Sequence, residues 1–323
     1  MKITKQSAVV MVFLSLLLLS SQVQAFQVPS PIVETGWLAD NINNVVILDV
    51  RNGSAELAAF TTSGHIPGAV LVNWGKVRAT RVINGVTLTR MVPTKEDFSA
   101  LMQASGVNQD SAVVITSKGS VADDITEGTR LYWTLKYFGH DNVAVLNGGT
   151  AQWTRETRAI SKDPSAPQPG NFTALTERTE INATTEDVLA AMDNDVNKNK
   201  YKAGKDTQLV DARDLNYYLG TAIKSYVYKR GHIPGSRNFP GLMVFDPDSA
   251  KFVPTDRLLE ALQAMGIDPY GPVIALCNSG HEATGLWFFL SEILGNPNVK
   301  LYDGSLHEWT MDSSRPVVYM VAD

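Results

Sequence analysis

Gly64-His65-Ile66-Pro67-Gly68-Ala69 and Gly231-His232-Ile233-Pro234-Gly235-Ser236 are one turn written twice, and that recurrence decides how the chain is read. Working outward from each copy, the landmarks repeat in the same order. Upstream, Val45-Val46-Ile47-Leu48-Asp49-Val50-Arg51 matches Gln208-Leu209-Val210-Asp211-Ala212-Arg213, each an apolar run ending in Asp-x-Arg. Downstream, Pro93-Thr94 precedes an amphipathic segment closing on Gly106-Val107, and Pro254-Thr255 precedes one closing on Gly266-Ile267. Short apolar runs at 113–116 and 273–276 follow. A helical stretch then leads to Asn147-Gly148-Gly149 through Trp153, or to Asp303-Gly304-Ser305 through Trp309. An unbroken order of landmarks marks a duplicated unit.

Each unit alternates short β-rich runs with segments of helical period, which predicts an α/β fold: a parallel sheet flanked by helices, twice in tandem. Helices are expected over 97–104, with Phe98, Leu101 and Met102 on one face, and over 129–138, with Leu131, Leu135 and Phe138 on one side. Between the units, residues 161–172 are rich in Pro and poor in apolar side chains, which reads as a linker. The units are therefore placed at 26–160 and 173–323.

Ahead of them, Lys2 and Lys5 precede an apolar core from Ala8 to Leu19 and a polar exit ending in Val23-Gln24-Ala25. That is the pattern of a secretory signal peptide over 1–25, cut after Ala25. The apolar core is short for a bilayer span. A periplasmic or secreted protein with no stable membrane insertion after cleavage is the expectation. With 44% apolar and 19% charged residues the composition is that of a globular chain, and a net charge of -5 gives no reason to expect nucleic acid. The five His residues fall at scattered positions without ligand spacing, so no metal and no other cofactor is expected.

One Cys occurs in 323 residues, so no internal disulfide forms and the thiol is either hidden or used. Cys277 follows an apolar run and precedes a helix-like one, in Leu276-Cys277-Asn278-Ser279-Gly280-His281-Glu282-Ala283. A free Cys after a strand is often a small buried hydrophobe. Against that stand the polar residues that follow it. Cys277 also lies at the carboxyl end of a parallel strand, where α/β folds place ligands. Backbone N–H groups of the loop would favour thiolate and persulfide, both anionic. Sliding the copies together sets Ser117 opposite Cys277, followed by a longer loop over 118–127. A hydroxyl there lacks the acidity and sulfur affinity of a thiol.

Asp-x-Arg after the first strand, Gly-His-Ile-Pro-Gly, a Cys loop after a later strand and Gly-Gly-x-x-x-Trp together resemble the tandem-domain rhodanese-type sulfurtransferases, over nearly the whole chain after residue 25. The resemblance implies two rhodanese-like domains, the first catalytically silent and the second carrying the nucleophile. It implies that Cys277 takes a sulfane sulfur from a small-molecule donor, 3-mercaptopyruvate or thiosulfate, and passes it to a thiophilic acceptor such as cyanide or a thiol. Asn278, Ser279, Gly280, His281, Glu282 and Ala283 would form the persulfide and substrate loop.

Ser279 and Gly280 resemble the mercaptopyruvate-using pattern, whereas His281 and Glu282 fit neither pattern, and Tyr217 stands where relatives carry a substrate-binding Arg. The anion clamp is thus reduced in sequence. Arg81, Arg90 and Arg230, with Tyr217, are the candidate substrate contacts, and Arg78 lies in the same insertion as Arg81 and Arg90. As single residues these arginines read as solvated surface. His281 reads equally as a pH-sensitive neighbour of the sulfur or as polar filler. Glu282 is expected to turn outward, since its charge beside a thiolate would raise the thiol pKa. Asp49 with Arg51, Asp211 with Arg213, His65 and His232 read as scaffold because the silent copy has them too. Trp153 and Trp309 read as packing anchors. A non-catalytic binding or redox-sensing protein is the alternative reading. A phosphatase of related fold is not, because its Cys-x5-Arg loop needs an Arg where Ala283 stands.

Overall fold

In the computed structural model residues 25–192 and 207–320 are described; the proposed signal peptide lies outside them except for Ala25. The first sheet contains β1 (Ile32–Val33), β2 (Val46–Arg51), β3 (Val70–Asn73), β6 (Val113–Ser117) and β7 (Val143–Leu146) in the order β1-β7-β6-β2-β3. Between β3 and β6, β4 (Ala79–Ile83) and β5 (Val86–Met91) form a separate antiparallel hairpin. The second sheet contains β8 (Gln208–Asp211), β9 (Arg237–Asn238), β10 (Val273–Leu276) and β11 (Val299–Leu301) in the order β11-β10-β8-β9. Both sheets are parallel throughout. Every residue of β6 and β10 is buried, as strands covered by helices on both faces require, so their sequences read as continuous apolar runs.

The duplication holds to the residue. Asp49 pairs with Thr116 in the first sheet and Asp211 with Leu276 in the second, so Ser117 and Cys277 are each the next residue along equivalent strands. Each Asp-x-Arg is a buried fork-to-fork ion pair. Arg51 Nη2 reaches Asp49 Oδ2 at 2.8 Å and donates to the Gly64 carbonyl at 3.2 Å. Arg213 Nη2 reaches Asp211 Oδ2 at 2.6 Å and donates to the Gly231 carbonyl at 2.8 Å. The pair therefore ties each central strand to its Gly-His turn. In that turn His65 stacks on Phe60 and His232 on Tyr218, both with centroids 3.7 Å apart. Each Nδ1 is hydrogen-bonded to the carbonyl of the same ring residue at 2.8 Å. These four charged residues and two histidines are scaffold. Gly231 is required by both backbone and space: its φ is +99°, and a Cβ would lie 2.1 Å from the Val318 carbonyl oxygen.

Two expectations shift. Residues 161–172 are a strap laid on the first domain. Ser161 exchanges backbone hydrogen bonds with His65, Gly170 N–H donates to Gln103, and Phe172 is fully buried against Phe98. Contacts to the first domain persist to Arg178, whose N–H donates to the Tyr137 carbonyl; Ala183 is the residue whose N–H reaches Leu301 of the second sheet. The crossing thus falls at 179–183, later than residue 172, because Phe172 carries enough apolar surface to be drawn into the first core. The long loop expected over 118–127 is helical from Ala122, and the helix runs Ala122–Tyr137. That helix is buried along nearly its whole length because it packs against the helix Ala283–Phe288 of the second domain. Tyr132 meets Phe288 edge-on at 4.7 Å and Thr129 Oγ1 is 2.9 Å from Thr284 Oγ1. One apolar cluster runs through both units.

Candidate active site

Cys277 leaves the end of β10 into a loop held from three sides. Ser305 Oγ accepts N–H bonds from Cys277 at 3.0 Å and Gly280 at 3.1 Å while donating to the Tyr302 carbonyl at 2.7 Å. Gly280 has φ +62°, and its carbonyl accepts from Arg130 Nη1 of the first domain at 2.7 Å. Arg130, fully buried, also pairs with Asp303 Oδ1 at 2.6 Å, and the other Asp303 oxygen accepts the Val92 N–H at 2.7 Å. The loop curls around the sulfur. Sγ accepts the His281 N–H at 3.2 Å, with the Ser279 and Ala283 N–H groups also turned to it. These donors favour anionic sulfur, but burial, and then the Glu282 charge, outweigh them and push the thiol pKa up. The thiolate preference expected from sequence is therefore reversed.

Glu282 is half-buried rather than turned out, and burial, followed by the charge of Asp123, pushes its carboxyl up to about 7. His281 is wedged between domains: Nε2 lies 2.8 Å from Thr126 Oγ1, and its ring packs on Trp74 with centroids 4.5 Å apart. Burial, then the positive charges of Arg78, Arg130 and Lys224, hold it well below the usual histidine range. It is a neutral imidazole bridging the interface, neither an acid at neutral pH nor filler. Asn278 is 3% exposed, with both amide atoms free of protein partners among the described residues.

Comparison with known proteins identifies the fold. The rhodanese-like domain family matches residues 34–156 and again 193–312. The chain belongs to the rhodanese-like family. A putative thiosulfate sulfurtransferase of Haloferax volcanii is 32% identical over 287 residues, 86% of this chain and 92% of its own. The 3-mercaptopyruvate sulfurtransferase of Escherichia coli is 29% identical over 88% of this chain and 96% of its own, and the sulfur carrier protein TtuD of Thermus thermophilus is 29% identical over 87% and 94%. The crystal structure of SseA from Escherichia coli superposes with TM-score 0.69 at 28% identity, covering 85% of this chain and 98% of that one. Two rhodanese-like domains and the sulfurtransferase class are thus both established.

The remaining candidates separate. Arg81 is engaged with backbone, donating to the Val92 and Pro93 carbonyls at 3.1 Å. Arg230 is exposed and donates to the Gly220 and Thr221 carbonyls, so it braces the turn. Arg90 is half-buried over the Tyr226 ring at 4.0 Å, and the Tyr226 hydroxyl bonds the Ser279 side chain. Arg78 is half-buried over Trp74 at 4.3 Å, so neither Arg78 nor Arg90 is the solvated surface charge expected. Tyr217 lies under Lys224 Nζ at 5.1 Å. Ser117 ends β6, 2% exposed. Sequence reading missed Arg130, Ser305, Trp74, Lys224 and Tyr226. Only Ser305 had a signal: it occupies the place of Gly149 in the repeat, and both have positive φ, +49° and +60°. What Ser305 adds over the twin's Gly149 is the hydroxyl that bonds Cys277, Gly280 and Tyr302.

Proposed function

We propose that this sulfurtransferase works by a Cys277 persulfide. The Cys277 thiolate attacks the outer sulfur of thiosulfate, forming the new S–S bond as the old one breaks and sulfite leaves with the bonding pair. With 3-mercaptopyruvate the C–S bond breaks instead, the thiol proton ends on carbon and pyruvate leaves. In the second step cyanide or a thiolate attacks the terminal sulfur, restoring the Cys277 thiolate and releasing thiocyanate or a new persulfide. Covalent storage divides one difficult transfer into two displacements. The observation that carries this reading is the convergence of the Ser279, His281 and Ala283 N–H groups on the only sulfhydryl, which suits an anionic terminal sulfur better than a neutral thiol. The amino-terminal pattern supports export, with the chain acting after cleavage behind Ala25.

Intact-mass measurement after incubation with either donor tests the reading. The expected result is one added sulfur in the wild type and none in Cys277→Ala. An unmodified wild-type mass with both donors would shift the reading to a binding or redox-sensing protein.

A further inference from the structure

Three cations flank the Cys277 loop, and each is held on an aromatic ring. Arg78 lies over Trp74, which packs on His281; Arg90 lies over Tyr226, which bonds Ser279; Lys224 lies over Tyr217. A ring attracts a cation through its quadrupole and cancels none of its charge. Among the described residues, none of the three takes part in an ion pair, whereas Arg130 beside them is matched by Asp303 at 2.6 Å. All three are half-buried. Gathering like charges partly out of water is unfavourable until an anion joins them.

The strain is visible at Arg78. Burial, then Arg130 and Arg90, push Arg78 down to about 10. The carboxyl within electrostatic reach of Arg78, Glu127, is pushed up to about 8 by burial and by Glu56, Asp124 and Asp123, so at neutral pH it is mostly protonated and does not supply the missing charge. Burial lowers Lys224, but Tyr217, Tyr226 and Glu282 together raise it, Glu282 acting from a distance and making no ion pair with it.

Arg90 is also deliberately placed. On one side the Thr89 N–H donates to His307 Nε2 at 3.2 Å; on the other the Val92 N–H donates to Asp303. His307 Nδ1 in turn meets the Tyr226 carbonyl at 2.7 Å. Between these anchors Arg90 has φ +67°, in the left-handed region that side-chain-bearing residues avoid and that persists where the surroundings enforce it. Beside Cys277, the Asn278 amide is buried with neither atom partnered, which is rare unless a ligand completes it.

We propose that Arg78, Arg90 and Lys224 bind the oxyanion head of the sulfur donor, a carboxylate or a sulfonate, the first domain providing two of the three charges. This rests on the sulfur-transfer reading, so the test has a readout that does not need transfer. Alkylation of Cys277 is followed by intact mass with iodoacetate, which carries a carboxylate, and with neutral iodoacetamide; their rate ratio cancels the thiolate fraction. In Arg90→Gln the iodoacetate-to-iodoacetamide ratio falls about tenfold, as expected for loss of one charge-assisted contact, and further in Arg78→Gln/Arg90→Gln, while Arg90→Lys recovers part of it. Steady-state KM rises by a similar factor with little change in kcat. A rise for thiosulfate alone assigns the site to a sulfonate, for 3-mercaptopyruvate alone to a carboxylate, and for both to either. A ratio unchanged in the folded double variant overturns the proposal. Should the wild type take up no sulfur from either donor while the ratio still falls, the transfer reading fails and the anion site stands.

Discussion

Gly280→Ala sets the interface clamp against the loop it holds. At φ +62° an alanine Cβ would lie 2.7 Å from the Asp303 carbonyl oxygen, and 2.8 Å from both Arg130 Nη1 and Asp303 Oδ1. None of these atoms can yield: one is backbone, and the other two form a buried ion pair with Arg130 fully enclosed. The loop itself must move, losing the Arg130 bond to the Gly280 carbonyl and the Gly280 N–H bond to Ser305. The left-handed backbone costs about 1–2 kcal/mol, and the charge-assisted bond contributes about 1.5–3 kcal/mol. Reduced entropy of the unfolded chain returns about 0.4–1 kcal/mol, leaving a destabilisation of about 2–4 kcal/mol. Gly235→Ala is the control, since Gly235 has φ +80° but open space around its Cβ position, so it should show the backbone cost alone. Urea unfolding of both variants measures the difference, and intact mass after donor exposure measures sulfur loading, which should fall at least tenfold in Gly280→Ala. If Gly280→Ala costs no more stability than Gly235→Ala and loads sulfur at the wild-type rate, the clamp does not position the loop.

Two further outcomes follow from buried charge. Glu282 is protonated below about pH 7 and ionised above it, so Glu282→Gln should leave Cys277 alkylation by iodoacetamide unchanged below that pH and accelerate it about three- to tenfold near pH 9; superimposable pH profiles would remove Glu282 as the group raising the thiol. Arg51→Met and Arg213→Met each strand a buried aspartate and should each destabilise by about 3–5 kcal/mol in chemical denaturation, with a loss below 1 kcal/mol in either showing that its pair is not what fixes the Gly-His turn.

What the sequence discloses is what is local and repeated. The strands, the Asp-x-Arg pairs and the Gly-His turns appear twice at matching positions, so each copy checks the other, and Ser117 and Cys277 fall at the equivalence the strand register reports. The start of the helix, residues 122–128, escapes because Asp123, Asp124, Thr126 and Gly128 are poor helix formers, and only burial against the second domain overrides that preference. Phe172 escapes for the same reason, a single apolar residue in a Pro-rich strap. Arg130 to Gly280, Thr126 to His281 and Arg90 to Tyr226 join residues with no spacing relation, so no pattern foretells them. The direction of the Cys277 shift escapes as well, because its donors are read from the loop while burial, the larger effect, is not.

The first domain is then more than a second copy of the fold, and two differences between the copies say why. Ser117 replaces the sulfur, and Gly149 replaces Ser305, the hydroxyl that accepts the Cys277 and Gly280 N–H groups. The first copy thus lacks both the thiol and the hub that shapes its loop, so a thiol at 117 alone would lack that acceptor. That same copy uses the helix Ala122–Tyr137 to bring Thr126 and Arg130 to the second domain's loop, and its β4–β5 insertion to bring Arg90 over Tyr226. The loop is thus built by both domains: the second carries Cys277, and the first braces the loop and sets positive charge beside it.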